Sequence, residues 1–321
     1  MEIRRFFLFA LLSVIPLFFP FFLQGSREII KISLEEILSV GSLDDDLLFQ
    51  WVGVVSDSQG YIYVTDSMDY TLKKFDSRGN LIKKTGRKGQ GPGEFLAPRL
   101  TDCSERFIYV TDQYIPGIQI FDKDLNFKRR LPLVLPVADF RVISDDQIAV
   151  VTLTLEKTGK IFIFDSQGKV KSELKYSEST STLMMDTVSF GMDPQGHFYL
   201  AYTFQDRVEK FDRNGKKLWS QKLLKAKKVK KKKIFSYEVP TEIVYKDLAL
   251  DNSGNVFILG GHFSENRSRD IYVLNSQGRH LTTFTLPDFS HCIYIDSRNC
   301  LYSRANEGVT LKRFKMKYVY E

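Results

Sequence analysis

Cysteine is scarce in this chain. Only Cys103, Cys292 and Cys300 occur, an odd number at wide spacing. That excludes a disulfide framework, and none of the short cysteine spacings of a zinc site is present. Cys292 and Cys300 flank one turn at Asp296–Asn299, whose register sets Ile295 opposite Cys300 and Cys292 opposite Ser303. Free, mostly buried thiols are expected. Histidine is nearly as rare: His197, His262, His280 and His291 are scattered, and each is read as structural or solvated. Net positive charge is lacking outside one stretch. Residues 222–233 hold eight lysines and no acid, so the remainder of a +7 chain has a net charge of −1. A chain-wide polyanion-binding surface is thereby excluded, and nucleic acid is not an expected partner.

Long apolar runs are also missing, with one exception. Arg4 and Arg5 precede Phe6–Leu23, which carries no charge and is interrupted by Pro16 and Pro20. Gln24-Gly25-Ser26 then offers small residues for cleavage. Residues 1–26 read as an export signal or, given a length that just spans a bilayer, as a retained membrane anchor. No cysteine follows the run for lipid attachment. The expected destination is periplasmic or extracellular, with residues 27–321 forming one domain, expected to be monomeric.

What is abundant is a phrase. Asp57-Ser-Gln-Gly60-Tyr-Ile-Tyr-Val-Thr-Asp66 is followed by Phe75-Asp-Ser-Arg-Gly79. The pair returns at Phe107–Asp112 with Phe121–Asp124, at Asp193–Tyr199 with Phe211–Gly215, and at Asp251–Phe257 with Leu274–Gly278. Asp-x-x-Gly suits a tight turn, because Asp bonds the following backbone and Gly accepts positive φ. The period predicts units of strand, turn and strand. First turns centre on Asp57–Gly60, Ser104–Arg106, Asp145–Gln147, Asp193–Gly196, Asp251–Gly254 and Asp296–Asn299. Second turns centre on Asp76–Gly79, Asp122–Leu125, Asp165–Gly168, Asp212–Gly215 and Asn275–Gly278. Six four-stranded antiparallel sheets follow, and such sheets bury both faces when arranged radially as a six-bladed β-propeller, an all-β fold. The sixth unit lacks its second turn. Residues 28–34, Glu28-Ile-Ile-Lys-Ile-Ser-Leu34, are expected to supply the missing outer strand and close the ring.

Residues 51–98 carry a more specific pattern: the Asp57–Asp66 phrase, Lys74–Gly79, then Gly86-Arg-Lys-Gly-Gln-Gly-Pro-Gly-Glu-Phe95 with Pro98. This resembles the NHL-repeat propellers, and among them the bacterial exported six-bladed type. The resemblance implies the fold over residues 50–320. It implies little about activity, since such folds host lyases, lactonases and protein or RNA binders. Asp69-Tyr70 replaces an Asn-like turn of the family, so no binding residue is carried over.

The loop Gly86–Phe95 has the glycines of a phosphate cradle but no helix after it, so it reads as a blade crossover plugged by Phe95. Candidate ligand-binding residues lie at the ends of second strands and at crossovers, which share one face: Asp66, Arg99, Asp112, Tyr114, Asp206, Arg207, Arg267 and Glu307. A polar ring there suits a protein, peptide or glycan partner at the loop face, or a Ca²⁺ ion with oxygen ligands. No other cofactor and no catalytic residue is indicated. Lys230, Lys231, Lys232 and Lys233, in a loop expected to be solvated, are the polyanion-binding candidates. The leading expectation is a non-enzymatic binding propeller. The alternatives are a Ca²⁺-dependent propeller lyase or lactonase at the channel mouth, and a membrane-surface module binding anionic lipid through the lysine loop; membrane contact is also open to the N-terminal segment.

Overall fold

A computed structural model describes residues 29–133, 137–152, 158–178, 183–224, 229–234 and 237–321. The segment read as signal or anchor, residues 1–26, lies outside the described residues. Strand β1 (Ile29–Val40) comes first. The first sheet is β2 (Trp51–Ser56), β3 (Ile62–Asp66), β4 (Thr71–Phe75) and β5 (Leu81–Thr85). The second is β6 (Pro98–Cys103), β7 (Phe107–Asp112), β8 (Ile118–Asp122) and β9 (Phe127–Leu131). The third is β10 (Val137–Ser144), β11 (Gln147–Thr152), β12 (Thr158–Asp165) and β13 (Val170–Glu178). The fourth is β14 (Val188–Met192), β15 (Phe198–Tyr202), β16 (Val208–Phe211) and β17 (Lys217–Gln221). A hairpin, β18 (Lys231–Ile234) and β19 (Tyr237–Pro240), intervenes. The fifth sheet is β20 (Tyr245–Leu250), β21 (Val256–Gly260), β22 (Asp270–Leu274) and β23 (His280–Thr285), and the last strands are β24 (Ile293–Ile295), β25 (Cys300–Ala305) and β26 (Thr310–Tyr320).

Each sheet is an antiparallel meander of four strands. The sixth has the order β1-β26-β25-β24, so the N-terminal strand is its outer edge. Pairing runs from Ile29 opposite Tyr320 to Val40 opposite Leu311. The closing strand is thus longer than the seven residues expected from sequence, and it pairs with β26 from Leu311 to Tyr320. First strands of successive blades contact one another, so the six sheets stand radially about an axis. The fold is a six-bladed β-propeller.

The core is divided. Six buried apolar clusters map one-to-one onto the six seams between neighbouring blades. Phe95, Phe121, Ile108 and Val110 of the second blade meet Val55, Tyr63 and Leu72 of the first. This explains why second strands such as β3 and β21 are buried at every residue, while β5, on the rim, is almost wholly exposed. A sheet covered on both faces reads as a continuous apolar run.

The repeated phrase is turn chemistry. Asp57 Oδ1 accepts the amides of Gln59 and Tyr61, both at 3.0 Å. Gly60 sits at φ +93°, open to glycine and strained for other residues. Asp76, Asp122, Asp165, Asp193, Asp212, Asp251 and Asp296 repeat this clamp, and Asn275 does so with its amide oxygen. A tyrosine six residues on often secures the Asp: Tyr63, Tyr199 and Tyr302 each donate to the second carboxylate oxygen at 3.0 Å. These turns define one face of the disc, the turn face. Crossovers and second-to-third-strand loops define the other, the loop face.

The lysine stretch differs from expectation. Lys231–Ile234 is a β-strand paired with Tyr237–Pro240, with Lys231 opposite Pro240 and Lys233 opposite Glu238. Strand pairing and the Lys230–Glu242 and Lys231–Glu238 contacts hold it as an arm rather than an irregular loop.

Candidate functional site

First strands of all six blades line a central cavity of about 210 Å³. Four charged side chains reach it: Asp102, Asp139, Arg141 and Asp247. Each carboxylate is bonded across a seam. Asp102 Oδ2 accepts the Val142 amide at 2.7 Å, Asp139 Oδ2 the Phe190 amide at 2.9 Å, and Asp247 Oδ2 the Ile293 amide at 2.8 Å. Ser189 Oγ takes the same role for Leu248 N at 3.1 Å. The last seam is bridged by Cys292, whose thiol donates to Val52 O at 3.7 Å, and by Tyr294 OH, which accepts from Ser56 N at 3.3 Å. The first is bridged by Cys103 Sγ to Ser56 O at 3.6 Å. The inner strands therefore form a continuous polar belt around the channel. Gly53 is part of its fit, since a Cβ there would lie 2.4 Å from Arg99 O.

Electrostatics follow from burial. Arg141 pairs with Asp139 at 2.8 Å. Burial opposes its charge, but Asp139, Asp102 and Asp247 outweigh this and keep it charged. Burial pushes Asp102 up, and it pushes Asp247 up to about 6 despite three hydrogen bonds. It also raises the Cys103 and Cys292 thiols to about 12, so neither is a thiolate at neutral pH.

At the loop-face end of this channel lies a cluster of opposite sign. Lys246, at the start of β20, donates from Nζ to Ser290 O at 3.2 Å and lies 3.4 Å from His291 Nδ1. The same Nζ sits 3.9 Å from the centroid of the Phe289 ring, which meets His291 edge-on at 4.9 Å. Arg304 is tied in through its backbone amide, which donates to Ser290 Oγ at 3.0 Å, and its Nη2 donates to Glu307 O at 2.7 Å. Burial lowers Lys246 to about 8, with Arg304 adding to the effect. Burial, then Lys246 and Arg304, lower His291 to about 4, so it is neutral at pH 7.

All eight sequence candidates lie on the loop face, in three kinds of surroundings. Asp66, Asp112 and Asp206 hold backbone. Asp66 is fully buried, accepts the Phe49 and Gln50 amides at 2.8 and 3.0 Å, and pairs with buried Lys73 at 2.9 Å. Asp112 accepts the amides of Leu96, Ala97, Tyr114 and Ile115. Asp206 accepts the Leu223 amide at 2.9 Å and the Tyr245 hydroxyl. Arg207 lies over the Tyr202 ring at 3.7 Å and faces Asp186. Tyr114, Arg267 and Glu307 are exposed, and Arg99 is half-buried. Among the described residues, the side chains of Arg99 and Arg267 have no hydrogen bond or ion pair, and no three His, Cys, Asp or Glu side chains gather as a metal site. Sequence reasoning missed the channel belt and Lys246–Arg304. The available signal was charge inside apolar first strands, as in Val137-Ala-Asp-Phe-Arg141 and Tyr245-Lys-Asp-Leu-Ala-Leu250, because a charge buried in a strand needs a partner.

A radial ring of six four-stranded blades about a polar channel defines a class, the six-bladed propellers. The chain belongs to the family DUF5128, described as 6-bladed beta-propeller, which it matches over residues 42–258. Among solved structures it is similar to a Bacteroides thetaiotaomicron VPI-5482 protein of unknown function, at TM-score 0.62 and 12% identity over 89% of this chain and 76% of that one. It is also similar to the Cps50 (Swd1) β-propeller domain of Myceliophteria thermophila, at TM-score 0.53 and 13% identity, over 88% of this chain and 99% of that one. At such identities the likeness is one of fold. Comparison with curated proteins found no match.

Proposed function

We propose that this chain is an exported, non-enzymatic binding propeller of NHL-like type whose loop face holds a protein, peptide or glycan partner. One observation carries the reading. Among the described residues, every exposed large apolar side chain outside a strand lies on the loop face: Leu43, Phe49, Met68, Tyr114, Met184 and Phe289. Among the described residues the turns of the opposite face have none, and the exposed apolar groups nearest to them, such as Ile30, Leu81, Val170 and Tyr320, belong to strand ends. Exposed aromatic and methionine side chains gathered on one side are characteristic of recognition surfaces. The belt around the channel supports the same reading, since its carboxylates are occupied in joining blades. The N-terminal apolar run supports export.

The test is site-specific photocrosslinking in the native envelope. A crosslinker at Tyr114 or Met68 is expected to capture a discrete partner, and one at Asn214 on the turn face is not. Equal capture from both faces, or from neither, removes the reading. A second reading rests on the β18–β19 arm, where Lys230–Lys233 are exposed and, among the described residues, only Lys230 and Lys231 meet glutamates. Contact with anionic lipid through this arm predicts vesicle binding that salt abolishes and that serine at Lys230–Lys233 removes.

A further inference from the structure

We infer that the channel mouth on the loop face is an oxyanion-binding subsite built from Lys246 and Arg304, with Phe289 as its apolar wall. The inference deepens the binding reading above, by naming the chemistry that the same face takes. Three observations converge. First, neither cation, each half-buried, has a carboxylate within ion-pair distance among the described residues, whereas Lys73, Lys74, Lys210 and Arg141 each have one. Second, both residues are anchored at one place. Buried Ser290 accepts the Lys246 ammonium on its carbonyl and the Arg304 backbone amide on its hydroxyl, and the Arg304 guanidinium, held by Glu307 O, is near enough to act on both Lys246 and His291. Third, donor capacity is left over. Lys246 spends one N–H donor on Ser290 and a longer one on His291, which leaves the third, and Arg304 Nε is buried with no partner among the described residues.

Two like charges held together and half-buried raise the energy of the free protein, and an anion between them relieves this. His291, neutral here, adds a ring nitrogen without a third positive charge. The lining fits a carboxylate, phosphate or sulfate group, all planar or tetrahedral oxyanions that accept from a guanidinium and an ammonium together. Phe289, half exposed beside Lys246, gives an apolar surface for whatever carries the anion.

The experiment is a thermal-shift and calorimetric titration of the purified chain with sodium acetate, inorganic phosphate and sulfate, ionic strength being held constant with chloride. Wild type is expected to gain thermal stability from at least one of the three beyond the chloride control, with saturation. The rank among acetate, phosphate and sulfate identifies the anion class. Lys246→Met and Arg304→Gln are each expected to weaken binding at least tenfold. Lys246→Met is also expected to melt at the same temperature or higher without anion, because it removes an unpaired charge. A purely structural lysine would give a lower melting temperature. Lys232→Gln, on the arm, is the charge-matched control and keeps wild-type affinity. No oxyanion-specific stabilisation of wild type, or full retention of it in Lys246→Met, overturns the inference. No partner enters this titration, so it reads the subsite separately from the crosslinking test of the binding face.

Discussion

Ring closure by β1 makes a sharp quantitative prediction. The strand buries Ile29, Ile32 and Val40, at 6%, 4% and 3% exposure, and leaves Ile30 half exposed. Each buried side chain contributes about 1.5–3 kcal/mol by removal from water. Together the three supply about 5–9 kcal/mol, comparable with the whole stability of a typical domain, about 5–15 kcal/mol. Deleting residues 29–40 is therefore expected to abolish the cooperative transition. The graded test is a pair of neighbours on one strand. Ile32→Ala leaves a cavity in the seam between the fifth and sixth blades and should cost about 2–5 kcal/mol. Ile30→Ala should stay within about 0.5 kcal/mol of wild type. Urea unfolding followed by tryptophan fluorescence measures both, because Trp51 is fully buried at the next seam and its indole bonds Thr310 O at 2.9 Å, on β26 itself. Equal effects of the two substitutions, or a deletion variant that still unfolds cooperatively at the wild-type midpoint, would refute the closure argument.

Other expectations test the belt and the capping carboxylates. Asp247 holds its proton to about pH 6 when folded, against an ordinary 3.8. Its contribution is thus fully present below about pH 4 and lost as pH rises through about 6. The stability of wild type relative to Asp247→Asn should fall over that window and then level, and a flat difference would contradict the burial argument. Asp66→Ala leaves two amides without an acceptor and Lys73 with Asp69 as its remaining carboxylate, and should cost about 1–3 kcal/mol in chemical denaturation. A ligand-binding aspartate would instead show unchanged stability. Thiol titration at pH 8 should find Cys103 and Cys292 slow to react in the native protein and all three cysteines reactive in urea. Cys292 should react sooner in Val40→Ala, since both pack in the seam between the sixth and first blades.

Much of the architecture was legible because the turns are chemically specific. An Asp that clamps two amides, and a residue at positive φ three positions later, mark a hairpin whatever surrounds it. Even so, Leu125 at φ +61° and Asn299 at φ +56° take the place that glycine holds elsewhere, which is why the second and sixth units read weakly. The site was far less legible. Asp66, Asp112 and Asp206 stand where a ligand ring would stand, but a strand ending beneath a crossover leaves amides that need an acceptor, and the nearest carboxylate takes them. Lys246 and Arg304 lie fifty-eight positions apart and meet at Ser290. No local spacing encodes that meeting.

The edge strand also fixes an orientation. Strand β26 runs from the loop face to the turn face, and β1 runs antiparallel to it, so Ile29 sits beside Tyr320 on the rim at the turn face. Anything joined ahead of Ile29 leaves from the side opposite the Lys246–Arg304 mouth. A tether there would display the mouth away from its point of attachment, like a dish turned outward. The lysine arm emerges from the loop-face crossover between the fourth and fifth blades, so it would reach toward a facing surface rather than the one that holds the tether.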